Sequence, residues 1–421
     1  MTSQVQLKLL PRVRCLFDEP IQLKVAGLKS RQVVSVRANA TDDKGVVFSS
    51  AATYKADGNG EIDLQRDPSM SGSYIGAQPM GLLWSMKPEI LHSRMHKTRA
   101  LNPYMVTFSV HEEEGNDRVL AEVVNERLLM GDGVIRTPIN NGKICGVLFT
   151  PPGPGPFPAV LDLYTSGGGL SEKRPALLAS RGFVVLTVGL YGCGENQKTN
   201  EIHLDYFEEA IEFLRGQDKV CSKGVGVISL SKSGDLALSA ASYLSGVEAT
   251  VWINGCSANT LLPLHYKKNI ILPPLMYDTS KIITTELGAA LIKYTMFDPR
   301  AEENKSCVVP IEQAKGCFLF VAAEDDLNWD SKAFVEQMVE RLKHYGKKNF
   351  EVLSYPGAGH YLEPPYGPHC TSSRHVLVGK PVVWGGVSSS HAAAEVHLWK
   401  KIQEFFRSHL TGDGAQGKAM L

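Results

Sequence analysis

Residues 225–244 set the tightest limit on what this chain can fold into. Val225, Val227 and Ile228 form a short apolar run of β type, and Asp235 to Leu244 is rich in Ala and Leu, the composition of a helix. Between them stands Ser229-Leu-Ser231-Lys-Ser233-Gly234. A serine on a tight strand-to-helix turn is a nucleophile elbow, where the backbone is strained and the neighbours two places away must be small. The usual pattern is Gly-x-Ser-x-Gly; here Ser229 and Ser233 take the flanking places. If they only fill small-residue positions, exchanging either for Gly preserves folding and activity. Read alone, the stretch is equally a Ser/Gly-rich turn.

Two later segments supply partners. Cys317 to Ala323 is a continuous apolar run, as in a buried parallel strand, and it ends in Glu324-Asp325-Asp326. Open α/β sheets place their sites at such strand ends. A helical stretch from about Asp330 to Tyr345 follows, then a strand from Phe350 to Tyr355, then the loop Pro356-Gly-Ala-Gly-His360. Serine, acid and histidine thus follow three separate strands in the chain order of α/β-hydrolases. Strand-end acids also serve as turn caps, and loop histidines are often inert, so the joint occurrence in order is the signal. Of the acids, Asp326 is favoured over Asp325 because it lies nearer the loop.

The roles follow from the residue types. A serine hydroxyl needs a base within hydrogen-bond reach. His360 would take the Ser231 proton, and the acid would hold the imidazole tautomer. One oxyanion donor should be the backbone N–H of Lys232. The others are expected from Thr165 and Ser166, in the loop Tyr164-Thr-Ser-Gly-Gly-Gly169 after the strand 158–163. That glycine run reads otherwise as a plain turn. It does not match a phosphate-binding loop, since no Lys-Ser/Thr follows at the required spacing.

The two halves of the chain differ. Before residue 135, short strands recur about every ten residues, separated by Asp42-Asp-Lys-Gly45 and Asp57-Gly-Asn-Gly60. This predicts an antiparallel β-sandwich. From about residue 140 strands alternate with helices, the pattern of a mostly parallel sheet. The expected organisation is a sandwich over 1–138, an α/β-hydrolase domain over 139–412, and a polar tail over 413–421. The proline-rich stretch 151–158 reads as a loop between the first two strands of the second domain.

Lys plus Arg equals Asp plus Glu at 44 each, which argues against nucleic acid as a partner. No apolar run reaches membrane-spanning length. The eight cysteines lack CxxC or His-rich spacing, so they are expected to be thiols in a reducing compartment, with no disulfide framework and no metal site.

Several strings resemble one known family, the acyl-CoA thioesterases and bile acid-CoA:amino acid N-acyltransferases, in its type I thioesterase branch. They are Asp18-Glu-Pro20, Gly72-Ser-Tyr-Ile-Gly76, Pro79-Met-Gly-Leu-Leu-Trp84, Pro151 to Pro158, Asp205-Tyr-Phe-Glu-Glu-Ala210, Ile253-Asn-Gly255, Gly359 to Tyr366 and Val383-Trp-Gly-Gly386. The resemblance spans roughly residues 8–410. It implies a nucleophile at Ser231, an acid at Asp326 and a histidine at His360. The family commonly has glycine where Ser229, Ser233 and Thr165 stand, which bears on rate and acyl preference.

The resemblance implies hydrolysis of fatty acyl-CoA to free acid and CoA, with no cofactor, since CoA is part of the substrate. Conjugation of the acyl group to glycine or taurine is the alternative. The bile-acid branch uses cysteine as nucleophile, so serine favours hydrolysis, although some N-acyltransferases of the family also carry serine. A non-catalytic acyl-CoA binder is the third reading. Lys173, Arg174 and Lys232 are candidates for the CoA phosphates, with solvated surface charge as the other account. A monomer in the cytoplasm is expected. Peroxisomes are the second choice, because Ala419-Met-Leu421 lacks the basic residue of a peroxisomal address. A mitochondrial location rests on Lys8, Arg12 and Arg14 preceding the first acid.

Overall fold

Alternating burial along the N-terminal strands gives each an inward and an outward face, and the inward faces build the first core. The computed structural model describes residues 4–113, 118–141, 144–164, 169–191, 201–376 and 378–411. It divides into two compact units. The first comprises residues 1–130 together with Pro364–Cys370. It is the expected β-sandwich. Gln6–Leu10, Gln22–Ala26 and Ile62–Asp63 form a small antiparallel sheet. A larger sheet is centred on Val33–Thr41, Val47–Lys55, Tyr104–Glu112 and Val119–Leu128, all antiparallel to their neighbours in that group. A parallel pairing joins Arg14–Leu16 to the last of these strands.

Arg127 is fully buried in this unit. Its Nη2 donates to the carbonyls of Phe17 (2.5 Å) and Glu19 (2.9 Å), and its guanidinium lies 6.0 Å from the centre of the Tyr366 ring. Burial pushes its pKa down. The Pro364–Cys370 segment is further tied in by His369 N–H donating to the Trp84 carbonyl at 3.1 Å.

The second unit holds an eight-stranded sheet. Its strands are β1 (Ile135–Asn141), β2 (Ile144–Thr150), β3 (Phe157–Leu163), β4 (Val184–Val188), β5 (Val220–Ser229), β6 (Val247–Ile253), β7 (Cys317–Ala323) and β8 (Phe350–Tyr355). The spatial order is β1-β2-β4-β3-β5-β6-β7-β8. The pairings of β2 with β1 and β4 are antiparallel and the rest are parallel. The central strands are buried along almost their whole length, which is why they read as unbroken apolar runs. Among the described residues five helices accompany the sheet: α1 (Lys173–Ser180), α2 (Leu204–Arg215), α3 (Ser233–Tyr243), α4 (Ser331–His344) and α5 (Ser388–Leu410).

Three expectations need correction. A boundary at 138 would cut β1, which pairs residue for residue with β2; the division falls at 130/131. Because β1 is already the first strand, the proline-rich loop joins the second and third strands. Cys145 is disulfide-bonded, so the expectation of thiols throughout does not hold, whereas Cys15, Cys221, Cys256, Cys307, Cys317 and Cys370 are free. Cys193 lies outside the described residues. Among the described residues no helix is long and apolar enough to cross a membrane.

Candidate active site

Parallel strands present their carboxyl ends on one side, and Ser231, Asp326 and His360 follow the ends of β5, β7 and β8. Ser231 has φ of 62°, a left-handed conformation that a non-glycine residue adopts only when its surroundings impose it. The imposition comes through the backbone. The Ser231 N–H donates to the Ile253 carbonyl at 3.0 Å, and its carbonyl accepts from the Gly234 N–H at 2.8 Å. The close approach of this turn falls on two glycines. A Cβ at Gly234 would stand 2.8 Å from the Trp252 indole nitrogen and 3.0 Å from the Gly255 Cα; one at Gly255 would stand 2.9 Å from the Ser231 carbonyl oxygen.

Ser229 and Ser233 are therefore more than small fillers. The Ser229 hydroxyl donates to the Val251 carbonyl at 3.1 Å. Ser233 Oγ accepts from the Leu230 N–H at 2.9 Å and lies 2.8 Å from the Leu163 carbonyl, tying the elbow to the end of β3. This reverses the expectation of a harmless glycine exchange. Ser233→Gly leaves the Leu230 N–H buried without its acceptor and should cost about 1–3 kcal/mol of stability, read by urea unfolding. An unchanged midpoint would show that the hydroxyl contributes nothing.

Asp326 is wholly buried, whereas Asp325 is exposed. The Asp326 carboxylate accepts from the backbone N–H of Asn328 (2.8 Å) and Trp329 (3.1 Å), from the Ser331 hydroxyl (2.5 Å), and from His360 Nδ1 (2.8 Å). A carboxylate has no proton to give, so the hydrogen of that last bond belongs to Nδ1 and the Nε2 lone pair is left free for base chemistry. Nε2 is buried with no hydrogen-bond partner, and Ser231 Oγ accepts from the Trp329 indole N–H at 3.2 Å. The structure thus joins acid to histidine directly. It shows no hydrogen bond between histidine and serine, a contact that often tightens only when substrate binds.

The histidine loop is held from several sides. The His360 ring stacks on Trp384 with centroids 5.3 Å apart, and its backbone N–H donates to the Trp384 carbonyl at 2.9 Å. Asn254, itself at φ of 46°, donates to the His360 carbonyl at 2.7 Å and accepts from the Ala323 N–H at 2.8 Å, joining the ends of the acid strand and the histidine loop. His391 on α5 bonds the residues on either side of His360. Its Nδ1 accepts from the Gly359 N–H at 3.0 Å and its Nε2 donates to the Tyr361 carbonyl at 2.9 Å. Sequence reasoning assigns no role to Trp329, Trp384, Asn254 or His391: Asn254 and Trp384 fall within strings of the family resemblance, and Trp329 and His391 fall in none. Only Asn254 carried a local signal, since Asn-Gly at 254–255 is a left-handed turn sequence.

Of the expected oxyanion donors, Thr165 and Ser166 lie outside the described residues. Lys232 is the N-cap of α3, so its backbone N–H is one that the helix ladder does not use. The three basic candidates for phosphate contact are engaged elsewhere. Lys232 is buried and paired with Asp235 at 2.7 Å, Arg174 is buried and paired with Asp162 at 2.7 Å, and Lys173 pairs with Glu363 at 3.2 Å. Neither phosphate binding nor free solvation describes the two buried ones. Among the described residues no group of His, Cys, Asp and Glu is arranged to hold a metal ion.

Two sequence families match the chain. The one described as acyl-CoA thioester hydrolase/BAAT N-terminal region covers residues 18–141, and the one described as BAAT/acyl-CoA thioester hydrolase C terminal covers residues 202–412. Human acyl-coenzyme A thioesterase 1 is 42% identical over 405 residues, spanning 96% of each chain. Human acyl-coenzyme A thioesterase 2, mitochondrial, is likewise 42% identical, over 96% of this chain and 84% of its own. Human acyl-coenzyme A thioesterase 6 is 40% identical over 96% of each chain.

Proposed function

The chain belongs to the acyl-CoA thioester hydrolase/BAAT family, and we propose that it hydrolyses fatty acyl-CoA to free acid and CoA, with Ser231, His360 and Asp326 as its triad. The observation that carries the reading is the buried Asp326–His360 pair, which leaves the Nε2 lone pair free, together with a serine held on a strained elbow at the end of a neighbouring strand. Ser231 Oγ attacks the thioester carbonyl as Nε2 takes its proton. The tetrahedral oxyanion is received by the Lys232 N–H, with Thr165 and Ser166 as the proposed further donors. The carbon–sulfur bond breaks, the CoA sulfur leaves with the proton from His360, and an acyl-serine remains. Water, deprotonated by His360, attacks that ester; the acid departs and Ser231 regains its proton. No cofactor enters these steps.

The test is incubation with acyl-CoA, with and without glycine or taurine, following thiol release and identifying acyl products by mass. One free acid per thiol is expected under all three conditions. An acyl-glycine or acyl-taurine product would replace hydrolysis by conjugation, and absence of thiol release would overturn the reading. We place the enzyme in the cytoplasm. Imaging with an N-terminal tag tests this against peroxisomes and with a C-terminal tag against mitochondria, and overlap with either marker would refute it.

A further inference from the structure

A cavity of about 280 Å³ lies against the elbow. Its wall includes Lys232, the residue after the nucleophile, and Asn328 with Trp329, the indole that donates to Ser231 Oγ. Leu261, Ile292 and Met296 supply apolar lining. The charge of the wall is largely cancelled. Lys232 is neutralised by Asp235, and His375 is pushed down to about 4 by burial, with His360 adding to the effect, so it is uncharged near neutral pH. Lys380 is exposed and belongs to the mouth. A wall of this kind suits an uncharged hydrocarbon.

Volume sets the length of that hydrocarbon. An apolar cavity of ~150 Å³ holds one benzene molecule, so this one holds on the order of ten carbons. Resting on the thioesterase reading above, we propose that this cavity receives the acyl group and that the enzyme is selective for saturated medium-length acyl-CoAs, with Ile292 and Met296 setting the limit. Each methylene that enters leaves water and raises kcat/KM by about fourfold; carbons beyond the cavity gain little.

The experiment is a ladder of saturated acyl-CoAs from butyryl to stearoyl on the full chain. A rise in log kcat/KM that breaks near ten carbons is expected. Ile292→Trp, which fills the cavity, should move the break to shorter acyl groups and lower the decanoyl-to-hexanoyl ratio by about tenfold. Met296→Ala, which enlarges the cavity, should move the break to longer ones and carries the test alone if the tryptophan variant does not fold. A flat profile, a rise continuing to stearoyl, or a break unmoved in the variants that fold overturns the assignment. If no acyl-CoA is turned over, the thioesterase reading fails separately. Calorimetric binding of free saturated fatty acids to Ser231→Ala then judges the cavity, supported by an affinity break near ten carbons and overturned without one.

Discussion

Ser231→Ala should lower kcat for acyl-CoA hydrolysis by roughly four to six orders of magnitude, because triad members act as a unit and what remains is catalysis by binding and the oxyanion site alone. The fold should survive. The turn is held by hydrogen bonds of the Ser231 backbone and of the Ser229 and Ser233 hydroxyls, whereas the Ser231 hydroxyl bonds only Trp329. An unfolding transition that stays cooperative and is lowered by no more than the lost Trp329 hydrogen bond, about 1–3 kcal/mol, beside the lost turnover, is the expected pair of results. Retention of a tenth of the activity would remove Ser231 from the mechanism. Ser231→Gly sharpens the test. It should be equally inactive yet more stable than Ser231→Ala by about 1 kcal/mol, since both lose the Trp329 bond but glycine accepts a φ of 62° without strain.

The second large effect is expected at the acid. Asp326→Asn keeps the side-chain shape but presents an amide where His360 needs an acceptor at Nδ1, so the ring is driven to the tautomer with hydrogen on Nε2 and loses its base. A loss of about 10³–10⁴ in kcat is expected. Asp325→Asn should stay within about twofold. Its side chain is exposed, and its fixed contact is a backbone N–H donated to the Ala358 carbonyl at 3.0 Å. Paired assays of the two variants decide the matter, and a reversal of their order would move the acid to 325.

Ser231, Asp326 and His360 stand out in the sequence because each sits in a local pattern. A strand-to-helix turn, an acid at the end of an apolar run and a histidine after a strand are each legible from the few residues around them. The side chains that hold them in place are not local. Trp384 lies 24 residues from His360 and His391 lies 31 away, and nothing in their own neighbourhoods points back to it. The misreading of Lys232 was avoidable, since Lys232 and Asp235 stand at i,i+3 at the start of a predicted helix, the spacing of an ion pair. Arg174 and Lys173 were not, because Asp162 and Glu363 reach them only through the fold. The same holds for Pro364–Cys370. Nothing in its sequence ties it to residues more than 200 positions earlier, and only the fold assigns it to the first unit.

That assignment has a consequence for synthesis on the ribosome. The sandwich begins at the N-terminus, yet the ring that lies over Arg127 and the N–H that bonds Trp84 belong to Tyr366 and His369. Between Met130 and Cys370 the ribosome must add a further 240 residues (370 minus 130). At about 5–20 residues per second that is a wait of roughly 10–50 s, long compared with the folding of most small domains. For that interval the buried guanidinium has Phe17 and Glu19 but lacks Tyr366. The first unit to emerge is therefore expected to be among the last to finish, and a ribosome stalled before residue 366 should carry a sandwich more open to protease than the completed chain.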